Sequence, residues 1–189
     1  METLADIMLI AVAGGLIGLD RTAVGQFMVS QPIVAGPIAG LILGDVRAGL
    51  LIGAVLELIW VMDMPVGTFV PADSTIAAVS ATAIAVIGSG GRAPLDMVGF
   101  SLLLTVAMAP ASMAVETAMR KGNALLGNAL FETTRRSAAA AVSRAHLAGL
   151  GLFFVKSFAL CLASYPWGLP HCGSLRACHD RFTKRWSCS

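Results

Sequence analysis

Hydrophobic positions fall into six runs: Ile7–Leu19, Ile33–Leu43, Ala48–Met62, Thr75–Ile87, Met97–Val115 and Leu147–Leu169. A helix needs roughly 20 residues to cross the hydrocarbon core of a bilayer. The last two runs meet that length. The first four are about 11–15 residues, near 20 Å as helices. Pro32, Pro37, Gly44, Pro65 and Pro71 bound or interrupt them. Short apolar runs suit either buried helices of a soluble protein or broken helices in a membrane bundle. Irregular backbone at membrane depth persists only where protein covers it or where it lines a cavity. Beside two full-length runs, the second arrangement is expected: an all-α, polytopic integral membrane protein with short broken or re-entrant helices in its N-terminal half.

Composition points the same way. The chain has 189 residues, 57% hydrophobic and only 13% charged, about half the charged share of an ordinary soluble domain. Its mean hydropathy is +0.81. The net charge of +2 implies no nucleic-acid partner. The acidic start, Met1-Glu2-Thr3-Leu4-Ala5-Asp6, lacks the basic region of a secretory signal, so the first run is expected to be retained. All four cysteines (Cys161, Cys172, Cys178, Cys188) come late, so no disulfide framework holds the body together.

Small residues recur at helical spacing. Gly36, Gly40 and Gly44 lie four apart, as do Gly49, Gly53 and Glu57. That spacing places each set on one helix face, where small side chains let helix backbones approach closely in a bilayer. Packing seams are the simplest reading of the glycines. Between Val115 and Leu147 the chain becomes polar, with Arg120, Lys121, Arg135, Arg136 and Arg144 against Glu116 and Glu132. This basic excess predicts a cytoplasmic segment. The Ala-rich run Ser137–Val142 suggests a helix, either lying along the inner leaflet or meeting a cytoplasmic partner.

Ionisable groups at membrane depth cost roughly 2.5–3.5 kcal/mol each at a helix centre, so each is a functional candidate. Asp45, Arg47, Glu57, Asp63 and Asp73 sit within or against apolar runs, and Lys156 lies inside the last one. Glu57, flanked by Leu56, Leu58, Ile59 and Trp60, is expected to point along the glycine seam into the bundle. There it either accepts hydrogen bonds from a neutral, donor-rich ligand such as a sugar or pairs with Arg47 or Lys156. Asp73 precedes an apolar helix and reads equally as its N-cap or as a ligand contact. Asp45, in Leu43-Gly44-Asp45, reads foremost as a turn residue. Lys156 either snorkels or answers a buried acid. His146 is read as structural rather than as a phosphorylation site. No catalytic residues, metal ligands or cofactor motif emerge: G-x-S-x-G, H-E-x-x-H and Walker A patterns are missing.

Taken in order, Leu19-Asp20, Gln31-Pro32-Ile33-Val34, Leu43-Gly44-Asp45, Gly49–Glu57 and Val66-Gly67 with Pro71-Ala72-Asp73 resemble the IIC subunit of the mannose/fructose/sorbose family of the bacterial sugar phosphotransferase system. Arg144 and His146 at the start of the last run, with Lys156 after them, also look familial. The resemblance implies a subunit of the inner membrane that binds and translocates a hexose. It would do so as part of an oligomer with a IID membrane subunit, while cytoplasmic IIA and IIB subunits deliver phosphate from phosphoenolpyruvate. Such a subunit belongs to a phosphotransferase complex yet carries no phosphoryl-transfer residue of its own. By this analogy Glu57 and Asp73 contact sugar, with Asp45 a weaker candidate.

The resemblance covers about residues 1–165, with 120–146 as the basic loop or interfacial helix. Residues 166–189 form an atypical tail, basic and Cys-containing without helical periodicity. Its C-x5-C-H-x8-C spacing suits zinc poorly. A frameshift or premature end is the expected origin of this tail. The rival to a working transporter is therefore a non-transporting membrane scaffold or an inactive truncated relic.

Overall fold

A computed structural model describes residues 2–22, 27–62, 70–133, 143–144 and 146–164. Seven helices account for nearly all of them: α1 (Glu2–Thr22), α2 (Pro32–Leu43), α3 (Val46–Trp60), α4 (Ser74–Ser89), α5 (Leu95–Ala107), α6 (Ala109–Thr133) and α7 (His146–Ser164). Among the described residues there is no strand. The expected all-helical architecture with short helices in the N-terminal half is what the chain adopts.

α2 and α3 form an antiparallel pair. Gly44 ends α2 at φ 88°, a left-handed conformation that glycine adopts without penalty. Asp45 then starts α3, its side chain accepting from the Ala48 backbone N–H at 3.2 Å. The glycine stripes are the seam between the two helices. A methyl group at Gly36 would collide with the Gly49 carbonyl, one at Gly49 with the Gly36 carbonyl, and one at Gly53 with the Pro32 carbonyl. Backbone therefore meets backbone along the whole crossing.

α4 lies at the centre, packed against α1, α2, α3 and α5. Its sequence STIAAVSATAIAVIGS is small or branched on every side, as a helix covered all round must be. Residues Thr75, Ile76 and Ala78 through Val86 are buried. The Thr82 hydroxyl donates to the Ala78 carbonyl at 2.8 Å, so it enters the core without an orphaned donor.

α7 seats on α1 through a second set of glycines. A methyl group would stand 2.7 Å from Cys161 Sγ at Gly14, 2.7 Å from the Phe154 ring at Gly15 and 2.7 Å from Ser157 Oγ at Gly18. α7 is long and apolar enough to cross a membrane. The run Met97–Val115, expected as one span, is instead divided between α5 and α6, which meet at a 45° bend. Pro110 supplies the reason: its ring removes an amide donor and crowds the carbonyl of the preceding turn. α6 then continues to Thr133, through the first part of the segment expected to be a basic loop or interfacial helix. The Ala-rich run Ser137–Val142, Asp63 and the tail 166–189 lie outside the described residues.

Candidate functional site

Two helix starts and one helix end converge on a polar cleft. Pro32 opens α2, and the preceding Gln31 makes no side-chain cap bond. The exposed donor at Ile33 is met instead by Glu57 from the far end of α3, whose Oε2 accepts it at 3.3 Å. α4 begins nearby at Ser74, and Thr75 donates its hydroxyl to the Ser30 carbonyl at 2.5 Å, tying the α4 start to the turn before α2. The resulting cleft, with about 430 Å³ of empty space, is lined by Arg21, Ser30, Gln31, Pro32, Glu57, Trp60 and Ser74. It presents a carboxylate, a guanidinium, an amide, hydroxyls and an aromatic ring on one concave surface. Neutral polyhydroxylated ligands need such a mixture of acceptors and donors, since each sugar hydroxyl is both.

Behind this cleft runs a chain of alternating charges. Lys156, midway along α7, is 7% exposed and places Nζ 2.7 Å from Asp73 Oδ2 and 2.7 Å from Glu116 Oε2. Arg21 at the end of α1 bonds Asp73 Oδ1 at 3.4 Å and the Ala72 carbonyl at 3.1 Å through Nη1. Arg120, one turn after Glu116 on α6, donates Nε to Glu116 Oε1 at 3.1 Å. Lys156 also lies 5.8 Å from the centre of the Phe153 ring. The order Arg21–Asp73–Lys156–Glu116–Arg120 thus joins α1, the α4 start, α7 and α6. Such pairing is what allows ionised groups to persist inside a bundle, and removing one member leaves its partner buried and uncompensated at about 3–5 kcal/mol.

The sequence candidates separate accordingly. Asp73 is both the N-cap of α4, accepting from the Ile76 N–H at 3.4 Å, and the hub of the charge chain. Asp45 caps α3 and also accepts the Ala93 N–H at 2.9 Å, pinning the loop before α5 to the α2–α3 turn. It lies at the opposite end of α3 from Glu57. Glu57 pairs with neither Arg47, which is exposed, nor Lys156, which is committed to Asp73 and Glu116. Lys156 therefore answers two buried acids rather than snorkelling. His146 is exposed at the start of α7.

Three participants were not legible as such. Arg21 sits at a helix end beside Asp20 and reads as an ordinary terminal charge. Glu116 belongs, by sequence, to the polar segment after Val115, yet it is 6% exposed; its one signal is Arg120 four residues on. Asp20 is 8% exposed and accepts the Phe27 N–H at 2.8 Å and the Ser30 N–H at 3.2 Å, holding the turn that presents Ser30 and Gln31.

A second, apolar groove of about 780 Å³ runs between α4, the α5–α6 bend and α7, past Ile76, Ile84, Leu104, Met108 and Leu160. Trp60 lines both cavities, whereas Asp73 lines the apolar groove and its neighbour Ser74 the polar cleft.

Short glycine-seamed helices, a buried chain of ion pairs and a polar cleft at helix termini make an all-helical fold that includes a helix long and apolar enough to cross a membrane. The same fold appears in the cryo-EM structure of the mannose transporter ManYZ in complex with microcin E492, with a TM-score of 0.69 and 21% identity over 86% of this chain and 62% of that one. It appears again in a solved membrane protein with a TM-score of 0.72 and 23% identity over 94% of this chain and 68% of that one. Residues 4–171 match the family described as the sorbose-specific IIC component of the PTS system, and the chain belongs to that family. It is similar to the mannose-specific EIIC component of Escherichia coli K12, 23% identical over 79% of this chain and 54% of the relative. A putative N-acetylgalactosamine permease IIC component of the same organism is 35% identical over 48% of this chain and 66% of the relative. The fructose permease IIC component of Bacillus subtilis is 29% identical over 64% of this chain and 42% of the relative. The chain spans about half the length of the mannose-specific relative it matches.

Proposed function

We propose that this chain is a multi-pass subunit of the bacterial inner membrane that binds a hexose-type sugar in the polar cleft between the α2 and α4 starts. It passes the sugar inward for phosphoenolpyruvate-dependent phosphorylation by partner subunits, a IID membrane subunit completing the pathway and IIA and IIB carrying the phosphate. Family membership and relatives named for mannose, N-acetylgalactosamine and fructose support the substrate class. The observation that carries the site is Glu57: an ionisable side chain from an apolar helix, 3.3 Å from one helix N-terminus and lining a cleft with Gln31, Ser30, Ser74 and Trp60.

Within this reading Glu57 accepts hydrogen bonds from sugar hydroxyls, Gln31 and the serines donate and accept, and Trp60 offers its ring to the apolar C–H face of the pyranose. Asp73 shapes the cleft from behind, through Arg21 and through the α4 cap. Asp45, remote from the cleft, holds the α2–α3 turn. The test is uptake of labelled mannose, fructose, sorbose and N-acetylgalactosamine in cells supplied with partner subunits. Glu57→Gln should lower uptake of the transported sugar by at least tenfold while membrane insertion persists, in line with the loss of a charge-assisted bond. Uptake unchanged in that variant removes Glu57 from the site.

A further inference from the structure

The buried charge chain ends at the cleft, and this has a functional reading that rests on the proposed sugar site. Arg21 spends Nη1 on the Ala72 carbonyl and Asp73 Oδ1, while the same guanidinium lines the cleft with Glu57. A guanidinium carries five N–H donors in a rigid plane. Fixing Nη1 therefore fixes the direction of the remaining donors. Its side chain is 29% exposed, in contrast to the 5% of Asp73 and of Lys156. What holds Asp73 is Lys156 at 2.7 Å, and what shares Lys156 is Glu116 at 2.7 Å.

We infer that Arg21 is a sugar-contacting donor facing the acceptor Glu57, and that Lys156 is a positioning residue for sugar binding that acts through Asp73 and Arg21. One face of the cleft then accepts hydrogen bonds and the other donates them, and the orientation of the donor depends on a lysine on α7. Counting Glu57 with the chain gives three cations and three carboxylates, while Asp20, the fourth carboxylate nearby, is met by the Phe27 and Ser30 N–H groups. A hydroxyl that bridges Arg21 and Glu57 satisfies both without introducing charge. The alternative use of the same residues is a purely structural clamp between α1, α4, α6 and α7, which predicts lost stability but no change in affinity among molecules that remain folded.

A double-mutant cycle separates these. The complete chain is placed in lipid nanodiscs and titrated with mannose, with fructose, sorbose and N-acetylgalactosamine run in parallel. Affinity is compared for the unaltered protein, Arg21→Met, Lys156→Met and the double variant, each scored only over its folded fraction. Each single change should weaken binding roughly tenfold, and the double variant should lose no more than either alone, since groups acting in one network are not additive. Lys156→Arg should restore affinity to within a few-fold. Where Lys156→Met does not insert, Asp73→Asn replaces it in the cycle, because asparagine keeps a capping oxygen for α4. Unchanged affinity in the single variants, or additive losses in the double variant, overturns the inference while leaving the sugar site intact. Absence of binding by the unaltered protein to every sugar in the panel overturns the sugar site itself.

Discussion

At the scale of single residues, the fate of each carboxylate follows from how many backbone donors surround it. Asp45 serves the Ala48 and Ala93 N–H groups at once, so its oxygens are occupied by the fold. Replacing it with alanine should cost about 1–2 kcal/mol of stability, the value of a lost cap, and leave sugar affinity unchanged. Thermal unfolding in detergent and a binding titration on the same sample measure the two effects. A drop in affinity at full folding would make Asp45 a ligand after all. Glu57 differs because only one of its oxygens meets a backbone donor among the described residues. Asp73 combines both characters, being a cap and an ion-pair hub. The sequence reading of Asp73, balanced between cap and ligand contact, had no means of seeing Lys156 beside it, because 83 residues separate the two. Long-range pairs of this kind leave no periodic mark in a chain. Lys156 was recognisable as an anomaly in an apolar run, but its partners were not.

Elements were more legible than sites. Hydrophobic runs located α2, α3, α4 and α7 closely, because burial and helix length both register in the pattern. The glycine stripes of α2 and α3 announced a seam, and backbone–backbone contact along it makes the seam testable. Gly49→Ala should force the helices apart and destabilise the chain by about 1–3 kcal/mol, the usual cost of overpacking. Gly99→Ala, where a methyl group meets nothing within 4 Å, should be tolerated. Equal tolerance at both positions would contradict the close crossing. The glycines of α1 carry the same signal, since Gly14 and Gly18 lie four apart, but the spacing does not say which helix they meet. Their partner is a helix more than a hundred residues away. The division of Met97–Val115 into two helices turned on Pro110, a local breaker whose effect on a long apolar run outweighs the run's composition.

At the scale of the whole molecule, α1 and the shorter helices α2, α3 and α5 surround a buried central helix, and helix termini supply the polar chemistry. An apolar sequence thereby acquires a polar cleft: α2 contributes its start, α3 the carboxylate at its end, and α4 its capped N-terminus. The buried charge chain then anchors α7 and α6 to that cleft. The central claim is the location of the sugar, and cysteine protection tests it most directly. The four native cysteines are replaced by alanine, and a single cysteine is placed either at Ser74 in the cleft or at Ser164 in the apolar groove. Alkylation by a small maleimide is timed with and without a saturating bound sugar. The account predicts that sugar slows labelling of Ser74→Cys severalfold and leaves Ser164→Cys unchanged. Protection at Ser164→Cys with none at Ser74→Cys would place the sugar elsewhere and contradict it.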